Sequence, residues 1–384
     1  MNFYIADVSS IFIPEALDVR RNVRKSVRRG NPADLKRYDY RGIFYDVFNF
    51  KDKIILAGPP LYNLAKELRS AEFLIDGVPA LQEPVLEDIR RTQRSHLWTQ
   101  RPAKILELHS DIVRSAVRVN GADTDTFKGR RVLMTLSKNN DLHWISDWAR
   151  YYVKEHEVDA VLIYDNASDR YRLRDILAEL RQVDGLAAAV VVHWPYFYGP
   201  QTRGIGPFGN FCQATMLEHA RRRFLSEAAG VINADIDELA VTQDGRSVFE
   251  HVGDSALGGI LFAGRWIEAT ELPADRTPRH SDYDLFNPDT DACATKWALI
   301  PSRIEEKCAW RTHWIQDLQL PTSPAVQFRH LKGINTNWQF DRSRVVKYDP
   351  ARHVRDEPLR AALDRAFGER DERLPQELAM SDAV

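Results

Sequence analysis

Cysteine is scarce in this sequence. Three occur in 384 residues, Cys212, Cys293 and Cys308, and none stands in a C-x-x-C pair. A small, odd number argues against a disulfide framework and a cysteine-held zinc site, and makes a reducing compartment the natural expectation. An excess of charge of one sign is missing as well. The 53 basic and 55 acidic residues leave a net charge of -2, too little for a field that gathers nucleic acid or an anionic membrane. No stretch reaches the roughly 18 apolar residues of a membrane span. The segment Met1 to Pro14 carries no basic leader and no small-residue cleavage site, and reads as a short strand. No signal peptide is therefore predicted, and the cytoplasm is the expected location, with peripheral contact at a membrane face left open. One local basic cluster, Arg20, Arg21, Arg24, Lys25, Arg28 and Arg29, is expected to form a solvated helix face.

Glycine loops that cradle phosphate are absent too. No G-x-G-x-x-G follows a strand, no G-x-x-x-x-G-K-[ST] occurs, and no G-x-S-x-G elbow is present. A divalent cation held by carboxylates is the other common means of binding phosphates, since hard oxygen ligands suit Mg²⁺ and Mn²⁺.

What is present is material for an ordinary core, 44% apolar residues, in a chain long enough for two domains. Residues 1–125 read as a β-rich region of unassigned role. Ile43–Phe48, Lys53–Ala57, Phe73–Ile75 and Ala116–Val119 have strand character, and short helices are predicted over Tyr62–Glu72 and Pro84–Arg94. Asn120-Gly121-Ala122-Asp123 marks a turn-rich boundary.

From Arg131 the pattern changes. Apolar runs of strand length at Arg131–Leu136, Asp159–Tyr164, Leu186–Val192 and Val231–Ala234 alternate with helical stripes over Asp141–Val153, Leu173–Leu180 and Phe211–Ala229. Continuous apolar strands separated by helices predict an α/β fold, Rossmann-like, with a mainly parallel sheet covered on both faces. Residues 126–345 are assigned to this domain and 346–384 to a C-terminal helical tail. In such sheets ligands bind outside the carboxyl ends of the strands. The loops after Leu136, Tyr164 and Ala234 are all polar and are expected to converge on one crevice.

D-x-D occurs four times, at Asp123/Asp125, Asp235/Asp237, Asp282/Asp284 and Asp289/Asp291. Three of these pairs lie in turn-like sequence, where Asp is common for its own reasons. Only Asp235/Asp237 closes an apolar strand inside the α/β unit. If the backbone there stays extended, alternation puts both carboxylates on one side, and two carboxylates at a strand end need a cation or a proton. The aromatics Trp194, Tyr196, Phe197, Tyr198 and Phe208 suit a sugar face, the core or a lid equally well. Gly199, Gly204, Gly206 and Gly209 suggest a mobile loop beside the site or a plain surface loop.

The ordered set Ser137-Lys138-Asn139-Asn140-Asp141, Trp148, Val161 to Asp169, Gln213 and Asn233-Ala234-Asp235-Ile236-Asp237-Glu238 resembles bacterial glycosyltransferases of the family 2 and family 92 type. The likeness continues through Thr295-Lys296-Trp297, His313-Trp314 and His330 to Trp338, spanning roughly Arg131 to Arg342. It implies a GT-A fold with the β-rich amino-terminal region as an extension. It also implies a metal-dependent, inverting transfer of a sugar from a nucleoside-diphosphate donor, a UDP-sugar by first choice, to a carbohydrate or lipid-linked saccharide acceptor. Mn²⁺ or Mg²⁺ is the implied cofactor. On this resemblance Thr135, Ser137, Lys138, Asp165, Asn166 and Gln213 hold the nucleotide-sugar. Asp235 meets ribose or metal, Asp237 ligates the metal, and His313, then His330, completes the metal shell. Lys296 and Lys332 neutralise diphosphate oxygens, and Glu238 supports the metal pair from behind. Inversion needs a carboxylate base; the candidates are Asp284 first, then Asp282 and Glu268. A sugar nucleotidyltransferase is the alternative enzyme, although it calls for a glycine-rich basic loop where Ser137-Lys138-Asn139-Asn140 stands. A non-catalytic carbohydrate-binding protein on the same fold is the alternative outside enzymes. Oligomeric state is left open.

Overall fold

The apolar runs of the α/β region become strands of one sheet, and residues from both ends of the chain join it. In a computed structural model that describes residues 2–23, 34–200, 209–273, 275–336 and 344–369, the sheet has nine strands. They are β1 (Phe3–Ala6), β2 (Arg131–Ser137), β3 (Ala160–Asp165), β4 (Ala188–His193), β5 (Gly230–Asn233), β6 (Glu238–Thr242), β7 (Gly259–Ile267), β8 (Cys293–Leu299) and β9 (Thr322–Leu331). Their order is β1-β4-β3-β2-β5-β8-β7-β9-β6. The first five pair in parallel; β8 and β6 run against their neighbours. The molecule is thus a mixed α/β protein with a large, mainly parallel central sheet.

Strands β2 to β5 are buried on both faces, and alternate residues serve different cores. Leu133, Val161, Ile163 and Val191 point to one cluster, while Val132, Met134, Leu162, Tyr164 and Val190 point to the other. This is why the strands read as unbroken apolar runs. Helices α1 (Leu142–His156) and α2 (Leu173–Arg181) cover the first face through Trp148, Tyr152, Ile176 and Leu180. Each such side chain contributes about 1.5–3 kcal/mol by leaving water. Helix α3 (Phe211–Arg223) covers the second face through Cys212, Met216, Leu217 and Ala220. Two further helices, α4 (Val248–Asp254) and α5 (Glu357–Phe367), complete the first face with Val248, Val252, Leu359 and Leu363.

Residues 34–119, joined by Ile11 and Ile13, build a separate β-rich core, with one three-stranded and one four-stranded sheet around Ile54, Leu56, Leu97, Leu106 and Leu108. Helix Leu64–Arg69 forms within the predicted span. The helix expected over Pro84–Arg94 does not form. Asp88–Ile89 and Thr92–Gln93 make a tight hairpin instead, with Arg90 left-handed at φ 55°. Asp88 is diverted to accept the backbone N–H groups of Leu61 and Tyr62, which ties the hairpin to the neighbouring turn. Strand β1 lies apart from this module, at the edge of the central sheet beside β4.

Helix α3 differs from its expected amphipathic form. All thirteen of its residues are buried, Glu218, Arg221, Arg222 and Arg223 included, because the β-rich module packs on the face that would otherwise meet water. Arg21 is also a correction. It is no solvated cation: at 1% exposure it donates to the carbonyls of Pro60, Asp39 and Gly42. Arg24, Lys25, Arg28 and Arg29 lie outside the described residues, as do Gly204, Gly206 and Phe208 of the glycine-rich loop.

Candidate active site

Strands β4, β3, β2 and β5 are the third, second, first and fourth of the parallel series. Connections on the two sides of the β2/β5 pair therefore leave in opposite directions, and the carboxyl ends there open a crevice, the usual ligand position in such sheets. A cleft of about 270 Å³ lies at this point. Leu136 and Lys138 enter it from the end of β2, and Asp235, Asp237 and Glu238 from the end of β5. Gln213 of α3, Trp266 of β7, Cys293 at the start of β8, and His313 and His330 complete much of the wall.

The acidic segment is not extended. Glu238 N–H donates to the carbonyl of Asp235 at 3.0 Å and its carboxylate accepts from Asp235 N–H at 2.8 Å, closing a turn into β6. The predicted alternation is thus replaced by a tight reversal, which presents Asp235, Asp237 and Glu238 together. Antiparallel pairing of β6 with β9 puts Glu238 opposite His330. Parallel pairing of β7 with β9 puts Trp266 beside His330, their rings stacked at 4.1 Å. The imidazole is thereby fixed, with Nε2 3.0 Å from Asp237 Oδ2 and Nδ1 3.6 Å from Glu238 Oε1. Asp237, Glu238 and His330 offer ligand atoms all within 4.8 Å of one another.

Lys296 rises from β8 behind the trio, 2.7 Å from Asp235 Oδ2 and 2.9 Å from Glu238 Oε2. Burial would push its ammonium down, but the two carboxylates hold it above the ordinary lysine range. Burial raises Glu238, and nearby Asp235 and Asp237 raise it further against the pull of Lys296 and His330. Burial also pulls His330 down; the charge and hydrogen bond of Asp237 more than reverse this and bring it up to about 10. Three carboxylates thus face one ammonium and one imidazolium. Replacing the imidazolium proton with a divalent cation would balance the charges. Two carboxylates and an imidazole are a donor set that fits such an ion.

The other expected residues are distributed unevenly. His313 lines the cleft but stands outside the trio; its Nδ1 is 2.9 Å from the Thr295 carbonyl oxygen and burial depresses it to about 4. Gln213 Oε1 accepts from Tyr198 and Thr312 at the cleft wall. Lys138 Nζ donates to the Asn166 carbonyl. Asn166 itself is a brace, its amide donating to the carbonyls of Trp194 and Tyr196. Asp165 is paired in register with Ser137. Its carboxylate accepts from Ser168 N–H and Oγ, and burial raises its pKa. Thr135 and Ser137 are buried at the end of β2, with Ser137 Oγ accepting from Asn140. Trp194 and Tyr196 belong to the core, whereas Tyr198 reaches the cleft.

None of the three carboxylates expected as base lines this cleft. Asp282 is gripped by both terminal nitrogens of Arg276 at 2.7 Å. Asp284 lies between Arg355 and Arg360. Glu268 accepts from Lys332 at 2.6 Å, one residue beyond β7, in a neighbouring surface depression. Trp266 and Cys293 are wall residues that sequence reasoning missed. A lone tryptophan in a strand and a lone cysteine carry no signal until pairing places them beside His330.

No protein-family model matches the chain, and a search of curated proteins finds no match. Among solved structures, the bifunctional glycosyltransferase WbbM in its apo form is similar over 45% of this chain and 28% of that one, with 13% identity and a TM-score of 0.24. The chain thus spans under a third of that protein's length, and a likeness this slight fixes neither fold family nor activity. No helix among the described residues is long and apolar enough to cross a membrane.

Proposed function

We propose that the protein is a GT-A-type, metal-dependent glycosyltransferase that moves a sugar from a nucleoside-diphosphate donor, a UDP-sugar by preference, to a saccharide acceptor. The observation that carries this reading is the grouping of Asp237, Glu238 and His330 at the strand-order switch point, with Asp235 and Lys296 in contact. Asp237 and His330 would ligate Mn²⁺ or Mg²⁺, with Glu238 as third ligand or direct support. The ion would supply charge neutralisation for the departing diphosphate. Lys138, at the mouth of β2, would meet phosphate oxygens, and Lys296 holds Asp235 and Glu238 in place through contacts of 2.7 and 2.9 Å. A nucleotidyltransferase is disfavoured because the loop after β2 carries no glycine-rich phosphate cradle.

Of the expected bases we retain Glu268. It follows the cleft-wall residue Trp266 by two residues and pairs with a single lysine, whereas Asp282 and Asp284 are closed off by arginines. Its carboxylate accepts from Lys332 at 2.6 Å, and inversion needs a carboxylate base. The test is release of UDP from a panel of UDP-sugars with Mn²⁺, with and without acceptor saccharides. Turnover that needs the metal and is lost in Asp237→Asn supports the reading. Turnover that survives both metal removal and Asp237→Asn overturns it.

A further inference from the structure

A second cavity, of about 160 Å³, lies on the seam where the β-rich module meets helix α3. Its walls come from the strand Lys53–Ala57, the segment Thr92–His96, the last turn of α3, and Glu306–Lys307. Gln213 and Arg222 stand nine residues apart on α3, so this cavity lies roughly 13 Å along the helix from the cleft wall.

Four lining side chains present buried polar atoms that meet no partner: Gln93 Oε1, Arg94 Nε, His96 Nε2 and one terminal nitrogen of Arg222. Such groups are rare in folded proteins and costly to leave unmet. Gln93 is 3% exposed and Arg222 5%. The Gln93 amide cannot turn to satisfy itself, because its Nε2 already donates to the carbonyls of Ile43 and Pro59. Arg222 spends its other terminal nitrogen on Glu218. Lys53 adds a third cation, 4.7 Å from the Trp98 ring centre. Of the two lining carboxylates, Glu218 is taken up by Arg221 and Arg222, and Glu306 is exposed. The interior is therefore cationic, with guanidinium donors facing inward and one fixed amide acceptor.

We propose that this cavity binds a small oxyanion of the phosphate class, bearing a hydroxyl or acidic proton for the Gln93 carbonyl. Arg222 and Arg94 would each donate to the anion, the arrangement guanidinium groups favour for phosphate. Inorganic phosphate and a phosphate group on a sugar share this chemistry. Because both modules contribute donors, occupation would also fasten the β-rich module to the α/β unit.

The test is calorimetric titration of the full chain at pH 7 with inorganic phosphate and, separately, a hexose monophosphate. Saturable binding that weakens tenfold or more in Arg94→Met and in Arg222→Gln, but is unchanged in Asp237→Asn, supports the site. Tighter binding of the hexose monophosphate identifies a phosphosugar as the ligand; equal or weaker binding identifies free phosphate. Arg94 is partly exposed, so Arg94→Met carries the test if Arg222→Gln is unstable. Three results overturn the proposal: no binding, binding insensitive to Arg94→Met, or binding lost in Asp237→Asn, which would place the anion in the strand-end cleft. A crystal grown in phosphate that holds only water among Gln93, Arg94 and His96 overturns it as well.

Discussion

The strand-end cleft and the seam beneath α3 both hold charged side chains, but they balance them differently. Around Asp46, at the core of the seam, the charged groups pair with one another. Asp46, fully buried, accepts from Arg223 at 2.8 Å, His219 at 2.9 Å, and Ser9 N–H and Asn120 at 2.8 Å each. Burial would raise its carboxyl, yet Arg223 and His219 hold it below the usual range. His219 in turn receives the Tyr164 hydroxyl on Nδ1 at 2.7 Å. In the cleft three carboxylates crowd one lysine and one histidine, and the balance depends on a proton on His330. A closed network holds modules together; an incompletely neutralised one is poised to exchange a proton for a ligand.

That contrast can be broken most forcefully at the seam. Asp46→Ala strands the buried Arg223 and His219 and is expected to cost about 3–5 kcal/mol of stability, read by urea unfolding. Should the midpoint barely move, the closed network is not what fastens the module. Asp237→Asn is the reciprocal change. Its melting temperature should move far less than that of Asp46→Ala, while metal-dependent nucleotide release falls about 10²–10³-fold. Glu268→Gln should lower kcat about 10²-fold or more with donor KM little changed, as removal of a general base does. A normal kcat in this variant would end the assignment of Glu268.

Next in size is the pH dependence of the cleft. His330 is held above its ordinary value, so its ion pair with Asp237 contributes fully below about pH 6.5 and is lost as pH rises toward about 10. A cation must displace that proton. Mn²⁺ affinity is therefore expected to rise about tenfold per pH unit between pH 7 and 9, with one proton released per ion. Titration in buffers of different ionisation enthalpy measures the release, and a pH-independent affinity would remove His330 from the metal shell. The smallest effect belongs to Asp284→Asn, which should leave turnover within a few-fold because Arg355 and Arg360 already occupy that carboxylate.

Much of the fold was legible because two-sided burial leaves a plain trace. The strands at 131, 160, 188 and 230 came within one or two residues of their observed limits; of the three loops expected at the crevice, those after Leu136 and Ala234 line the cleft and the one after Tyr164 does not. The helix expected over Pro84–Arg94 failed because Asp88 found distant partners, a preference no local window contains. The site divided along the same line. Asp235 and Asp237 stood out by closing an apolar strand. The choice between His313 and His330 as neighbour of Asp237 did not, since both sit among aromatics, and only strand pairing separates them.

The sequence by itself determined the alternating α/β order, the polar strand ends and the acidic residues that close the fourth of those strands, because each rests on residues close in the chain. Tertiary structure alone decided that His330 meets Asp237 with Trp266 stacked on its ring, that α3 is buried on every side, and that Asp284 is claimed by arginines. The meeting at His330 depends on register between strands tens of residues apart. Two strands paired one residue differently would turn the same side chains to the opposite face.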